Sequence, residues 1–534
     1  MPSPRFFSAR RFGLVHHLFG RKPKTENGIM AMRHLICRGH CRFYRPEKDE
    51  PETCLPFAAL SLGAASQPQL SKALAGLAPG HPVISLPPAL LDAFCRRCVF
   101  RNHGCDFAAA PDDPEAAPCG GLKVLASLLA QGVLTPQGLP ALLQAAIHQG
   151  YLCLGEHVSL KRLETPYLYD RLADELYEVN DAAFAWLARC DGATPGLARE
   201  ADAEFLAFLL DESLLSVNPQ PRRRQLRWRE APTPSLRYLE LMLTDRCNLR
   251  CRHCYLGDAG RMDLPLEGVL SLLREFEQMQ GLRVLLSGGE PLLYPHFEAL
   301  NARLRDFELR FVLLTNGTLL AERLRAKLRV QEVQVSLDGL AAGHDLLRGP
   351  GAWERAMSGL AAAQEAGLEV SAATMIHRGN LAELEELGRR LITLGVREWS
   401  LDAPCAAGRW LEHPELMATP TEAAPYLDLG FGGSAHGAAA GFACGRHLAA
   451  VLPTGQVAKC GLFGERPLGH VSQGLENCWL KLEHLELDRL DCAPCPHLAE
   501  CRGGCRFRAG ATTAPDPVMC ARFGVDPAKW RVKP

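Results

Sequence analysis

Tyr238-Leu-Glu-Leu-Met-Leu-Thr-Asp-Arg-Cys247-Asn-Leu-Arg-Cys251-Arg-His-Cys254 opens with the apolar run of a buried strand, LELML (239–243), and turns at once into a loop carrying three cysteines. Beyond it, short apolar runs alternate with helical periods as far as Leu401. The predicted strands are LELML (239–243), VLLS (284–287), FVLLT (311–315), VQVSL (333–337), VSAATMI (370–376) and EWSL (398–401). Amphipathic helices are predicted between them, among others over 267–280, 352–366 and 381–394. Alternation of this kind signals βα units around a parallel sheet, either doubly wound or closed as a barrel. In both architectures reactive residues gather at the C-terminal ends of the strands. The three cysteines stand at such an end.

Three thiolates on one loop can hold three irons of a 4Fe–4S cube and leave the fourth iron open to a small molecule. A zinc loop more often shows paired CxxC units and four ligands. Further short motifs follow at successive strand ends: Ser287-Gly288-Gly289-Glu290-Pro291, Thr315-Asn316-Gly317, then Ser336-Leu337-Asp338-Gly339 with His344-Asp345 and Arg348-Gly349. In this order they resemble the radical S-adenosylmethionine (SAM) superfamily across 238–401. The resemblance implies an α/β fold built on a partial (β/α)6 TIM-type barrel. It also implies a SAM-binding 4Fe–4S cluster on Cys247, Cys251 and Cys254, and SAM contacts from Gly288, Gly289, Glu290, Asn316, Ser336, Asp338 and Arg348. The chemistry it implies is reductive cleavage of SAM to a 5′-deoxyadenosyl radical that abstracts hydrogen from a substrate. The superfamily usually has an aromatic residue just before the third cysteine. Here His253 stands in that place, with Tyr255 beyond Cys254.

Twenty-one cysteines set the chain apart from average composition. The C-terminal set runs Cys444, Gly455, Cys460, then Cys492-x-x-Cys495, Cys501, Cys505 and Cys520. Its order is similar to that of the SPASM domain found in peptide maturases. That resemblance implies one auxiliary 4Fe–4S cluster on Cys492, Cys495, Cys501 and Cys520, and another on Cys444, Cys460 and Cys505. For the fourth ligand of the latter, Cys405, Cys478 and His447 are candidates, and an open iron that touches substrate is another. Cys478 beside Trp479 also reads as an inert core thiol. Nearer the N-terminus, Cys37, Cys41, Cys54, Cys95, Cys98, Cys105 and Cys119 show metal-ligand spacing, which points to a zinc ion or a further iron–sulfur cluster. Cys153 and Cys190 read as buried structural thiols.

Residues 151–216 hold Leu168-Tyr169-Asp170, Asn180-Asp181, Trp186 and a second apolar helix. They resemble the peptide-recognition domains of peptide-maturation systems, which take a leader peptide as an added strand; a winged-helix-like adaptor is the alternative. The expected organisation is therefore a basic tail or mis-assigned start (1–33, with Met30 or Met32 as candidate starts), a cysteine-rich metal-binding domain (34–150) and a peptide-recognition-like segment (151–218). A linker (219–237), the barrel (238–410) and a cluster domain (411–534) follow.

Hydrophobic residues at 47%, charged residues at 22% and a formal net charge of −1 argue against a general nucleic-acid or membrane-surface partner. With no secretory signal and no apolar run of about 20 residues, the cysteines are expected to be reduced, in the cytoplasm. The expected activity is that of a maturase acting on a ribosomally made peptide or protein side chain, with ferredoxin or flavodoxin as electron donor. Tailoring of a small cofactor such as haem or a quinone is the second reading. A non-catalytic iron–sulfur redox sensor is the third, and the intact motifs argue against it.

Overall fold

A computed structural model describes residues 54–77, 86–98, 107, 118–258, 260–323, 327–433 and 443–530. The basic tail, Cys37, Cys41 and Cys105 lie outside the described residues. Residues 151–218 carry the short strands β1 (Tyr151–Leu154), β2 (Val158–Arg162), β3 (Pro166–Asp170), β4 (Glu175–Glu178), β5 (Asp191–Pro195) and β6 (Leu215–Asn218). The chain divides into two compact units, Met1–Gly155 with Arg189–Arg224, and Glu156–Ala188 with Gln225–Pro534. The segment 151–218 contributes strands to both.

In the first unit, β1 lies between β5 and β6 in an antiparallel sheet. Helix Leu55–Ser66, LPFAALSLGAAS, is apolar on nearly every side and is buried accordingly. It packs on helices Gly120–Ala130 and Leu139–Gln149. Glycines allow the close approach. A Cβ on Gly121 would stand 2.6 Å from Pro56 Cβ, and one on Gly63 would stand 2.5 Å from Leu142 Cδ1.

In the second unit, β2, β3 and β4 form an antiparallel meander, with Leu160 opposite Leu168 and Tyr169 opposite Leu176. The main sheet follows with β7 (Tyr238–Thr244), β8 (Arg283–Gly288), β9 (Arg310–Thr315), β10 (Glu332–Ser336), β11 (Glu369–Met375) and β12 (Glu398–Asp402). These six are parallel, and each pairs with the next in sequence. A sequential order has no switch point, so the sheet is singly wound and the doubly wound alternative falls away. The helices Leu266–Gln278, Ala352–Glu365 and Leu384–Thr393 cover it, and Leu239, Leu241, Leu286, Leu313, Val333 and Val335 are buried in the shared core. The sheet then extends beyond the six expected strands. β13 (Leu448–Val451) adds in parallel to β7, followed by antiparallel β14 (Gln456–Ala458) and β15 (Gly469–His470). Among the described residues, no helix is long and apolar enough to cross a membrane.

At the N-terminal end of β9, the fully buried guanidinium of Arg310 gathers the loop between β3 and β4. It donates to the carbonyls of Arg171 and Leu172 at 3.0 and 2.9 Å and to Glu332 at 2.9 Å, and pairs with Asp174 at 3.3 Å and with Glu369. Removing one member of a buried charge network leaves the others unpaired in low dielectric, which costs about 3–5 kcal/mol. Arg310→Met is therefore expected to lower the unfolding free energy of the second unit by about 3–5 kcal/mol. Denaturant titration followed by tryptophan fluorescence measures this, and a change below about 1 kcal/mol would show that the network contributes no more than a surface pair.

Candidate active site

The Cys247–Cys254 loop leaves β7 and is fixed through its backbone by the ends of the neighbouring strands. After β8, Gly289 N–H donates to Thr244 O at 2.8 Å and Glu290 N–H to Arg246 O at 2.7 Å. The two glycines permit this approach. Gly288 has φ +129°, and a Cβ there would lie 2.2 Å from Thr244 O. A Cβ on Gly289 would lie 2.3 Å from Arg246 O. After β9, Asn316 Nδ2 donates to Asn248 Oδ1 at 3.0 Å, while Asn248 Nδ2 donates to Thr318 Oγ1 at 2.8 Å. After β10, Leu347 O accepts from Arg252 N–H at 2.8 Å. After β12, Arg409 donates its Nε to Cys251 O at 2.9 Å and its backbone N–H to Cys254 O at 3.0 Å. The loop's thiols are free of disulfides. Burial pushes the Cys247 thiol up and the Cys251 thiol to about 11.

Glu290 is fully buried. Its carboxylate accepts from Thr315 Oγ1 at 2.9 Å, from Asn316 N–H at 2.9 Å and from Leu292 N–H at 3.1 Å. Burial raises its pKa against the pull of these donors. Those bonds fix the Thr315-Asn316 turn that in turn fixes Asn248. Asp338 is also buried and forms an ion pair with Arg348. It accepts from Met375 N–H at 2.8 Å, and His253 Nε2 stands 3.8 Å away. Burial works against the Asp338 charge, but Arg348, His253 and His344 together hold its carboxyl well below the usual range. Burial in turn holds His253 neutral, its pKa pushed down to about 3. The Arg348 charge acts on both Cys247 and Cys251. Ser336 is half-buried at the end of β10.

The two rings flanking Cys254 diverge. His253 packs on the buried Trp410, ring centroids 5.8 Å apart. Tyr255 turns toward Glu240, with its hydroxyl 2.7 Å from where a Cβ on Gly461 would sit. Glu240 accepts from Ser287 Oγ at 3.0 Å and from Gly461 N–H at 3.3 Å, and burial raises its pKa. Glu240, Arg409 and Trp410 were not singled out from the sequence. For Glu240 the signal was present, as a lone acid inside the apolar run LELML.

The C-terminal cysteines fall into three contact sets. Cys492, Cys495, Cys501 and Cys520 line one pocket, together with His497 and Phe523. Cys444 and Cys460 are close enough for their charges to interact, and the Cys505 thiol shares a hydrogen bond with that of Cys405. In the first unit, Cys54 and Cys119 cap the N-termini of helices Leu55–Ser66 and Gly120–Ala130, and their thiols share a hydrogen bond. Cys95 and Cys98 bracket one turn, closed by Cys98 N–H to Cys95 O at 3.3 Å. Cys153 and Cys190 are buried. Among the described residues, no three or more His, Cys, Asp or Glu side chains converge on the position of a single metal ion. A cube offers separate irons at its corners, so its thiolates need not converge on one point.

Residues 241–391 match the model of the Radical SAM superfamily. Mycofactocin maturase MftC of Mycobacterium tuberculosis is 30% identical over 335 residues, which cover 54% of this chain and 84% of that protein. The chain belongs to the radical SAM superfamily. Pre-heme d1 synthase of Dinoroseobacter shibae is 36% identical over 176 residues, or 31% of this chain, and the chain spans only 43% of that relative's length. The crystal structure of Streptococcus suis SuiB bound to precursor peptide SuiA superposes with a TM-score of 0.48 at 14% identity, covering 69% of this chain and 99% of SuiB.

For a radical SAM chain the donor set on the 247–254 loop is apt: three free thiols on one rigid loop beside a buried cation. Because Gly289 leaves no room for a side chain against Arg246 O, Gly289→Ala is expected to displace the loop. Iron retained by the reconstituted protein should fall by about four atoms per chain, one cube. Retention of the full iron content would show that the loop tolerates the displacement.

Proposed function

We propose that this chain is a radical SAM/SPASM maturase that modifies a ribosomally synthesised peptide or a protein side chain. In this reading β7–β12 are the partial (β/α)6 barrel, and Cys247, Cys251 and Cys254 hold the SAM-binding 4Fe–4S cluster. When bound and reduced, that cluster supplies the electron that splits SAM and so generates a hydrogen-abstracting 5′-deoxyadenosyl radical. Residues 411–534 form the SPASM domain. One auxiliary 4Fe–4S cluster sits on Cys492, Cys495, Cys501 and Cys520, and the other on Cys444, Cys460 and Cys505. The N-terminal cysteines, Cys54, Cys95, Cys98 and Cys119 among them, hold a zinc ion or a further cluster. Electrons come from a ferredoxin or a flavodoxin.

The chain's own residues prepare the site. The backbone of Gly288 and Gly289, with Asn316, Ser336, Asp338 and Arg348, lines the SAM position. Arg348 acts as a fixed cation beside the thiolates, held in place by Asp338. Glu290 orders the Asn316 turn, so its part is to position its neighbours. Buried Trp410 and neutral His253 keep water from the loop. This dry, rigid environment is what radical chemistry requires of a protein.

The similarity to the mycofactocin maturase carries the peptide reading, because it runs over 335 residues, more than twice the length of 241–391. Similarity to the haem-related relative covers 176 residues, little more than the barrel. On the peptide reading, the leader docks as a strand added to the edge of the β2–β3–β4 meander.

Reconstituted, reduced protein should convert SAM to 5′-deoxyadenosine. Cys247→Ala/Cys251→Ala/Cys254→Ala should abolish that conversion and remove about four of about twelve irons. Retained cleavage in the triple variant would sink the assignment. Incubation with peptides encoded beside this chain's gene, read as a mass change, separates the maturase from a porphyrin-tailoring enzyme.

A further inference from the structure

The SPASM-type reading leaves the Cys444–Cys460–Cys505 set one thiolate short of a fully ligated cube. We infer that Cys405 is the missing ligand, completing a four-thiol site from the end of β12 and the C-terminal domain. The inference rests on that reading of the C-terminal cysteines and adds to it a residue outside the seven-cysteine pattern.

Cys405 lies three residues past the end of β12 at Asp402. It is buried, at 6% exposure, and its thiol shares a hydrogen bond with that of Cys505. A single guanidinium fixes the backbone on both sides of this pair. Arg508 donates to Asp402 Oδ1 at 2.6 Å, to Ala403 O at 3.1 Å and to Asp516 Oδ2 at 3.0 Å. Asp516 Oδ2 in turn accepts from Cys505 N–H at 2.7 Å. The segment after β12 and the segment around Cys505 are thus held in one register. The Cys460 side is joined to the same place, since Phe463 packs edge-on against Phe507 with centroids 5.6 Å apart. Arg508 is itself buried beside the thiols. A cation there offsets the negative charge of a thiolate-ligated cluster, which burial would otherwise disfavour.

The competing donors already have local partners. Cys478 belongs to the main apolar core, and its Sγ faces His470 O at 3.5 Å and Gln473 Oε1 at 3.9 Å. His447 Nδ1 faces Ser235 O at 2.8 Å, and the charged groups acting on the ring are Arg237, Glu164 and Arg446, with no cysteine of the set among them. Cys405 alone of the three candidates touches a cysteine of the set. Ligation would replace the shared thiol proton with iron, and both thiols would release their protons to solvent.

The test compares full-length wild type, Cys405→Ala, Cys405→Ser and Cys478→Ala after anaerobic reconstitution with ⁵⁷Fe. Iron and sulfide content, Mössbauer spectra and EPR of the reduced protein are the readouts, with circular dichroism to confirm the fold. Wild type and Cys478→Ala should hold about twelve irons. Cys405→Ala should lose between one and about four irons, or show one iron with altered Mössbauer parameters that millimolar 2-mercaptoethanol restores. Cys405→Ser, which keeps the volume and an oxygen donor, should keep the fold and shift the EPR signal of one cluster only. If both Cys405 variants match wild type while wild type holds about twelve irons, Cys405 is not a ligand and the SPASM-type reading stands. If the as-isolated wild type lacks two titratable thiols that reductant restores, and its iron content does not depend on Cys405, the pair is a disulfide and the inference fails. If wild type holds only about four irons, the reading of the C-terminal cysteines fails and takes the inference with it.

Discussion

The structure turns on a loop that has no secondary structure of its own and is nonetheless among the most constrained parts of the chain. The backbone from Thr244 to Cys254 gives or takes hydrogen bonds to the segments that follow β8, β10 and β12, and the Asn248 side chain adds the segment after β9. A parallel, singly wound sheet makes this possible. Its strands all end on one side, so every following loop can reach the first one. Three thiols on a floppy loop would lose much of their ordering entropy when they take up a cluster. Here the strand ends have already ordered them. The glycines after β8 follow from the same constraint, since two backbones in hydrogen-bonding contact leave no volume for a Cβ.

Charge in the site is arranged by burial. Asp338 and Arg348 are both withdrawn from water and satisfy each other. An isolated buried arginine beside the thiols would be costly, whereas an arginine tied to a buried carboxylate is a fixed point charge. His253 and His344 stay neutral because burial outweighs the attraction of Asp338. The Arg348 cation that acts on the Cys247 and Cys251 thiols therefore does not depend on pH over the physiological range. Arg508 plays the corresponding part near Cys405 and Cys505, anchored by Asp402 and Asp516.

How much of this could be read from sequence depended on whether the signal was periodic or local. The six parallel strands were predicted within a residue at each end, because buried parallel strands are continuous apolar runs bounded by turn residues. β13 was not foreseen. Leu448–Val451 is a four-residue run between cysteine- and glycine-rich loops, and only its pairing with β7 gives it meaning. Cysteine spacing suggests sets but not their contacts, so from sequence Cys405 stands only beside Cys478 and His447. From its motif Glu290 is expected to be a SAM contact. Its carboxylate also accepts from Thr315, Asn316 and Leu292, contacts that come from β9, from the residue after it and from the turn after β8 and cannot be counted along the sequence. Arg409 is a surface residue by composition and becomes a clamp only because the segment after β12 crosses Cys251.

The sequence marks 151–218 as one peptide-recognition-like segment, but its strands are divided between two units, and β2–β4 form a separate sheet in the unit of the main sheet. Arg171, Leu172 and Asp174 hold Arg310 at the start of β9, while Thr315 at the other end of the same strand holds Glu290. Excising 151–216 would therefore strip the partners from a buried guanidinium as well as remove a docking edge. The same geometry would constrain a peptide captured as proposed. The span from Arg310 to Thr315 is five steps of about 3.3 Å, roughly 17 Å. An extended chain advances at most about 3.3–3.6 Å per residue. On the proposed reading, a leader docked on the meander would have to place the residue to be modified at least about five or six positions away along its chain. This follows from the meander and the cysteine loop lying at opposite ends of one strand.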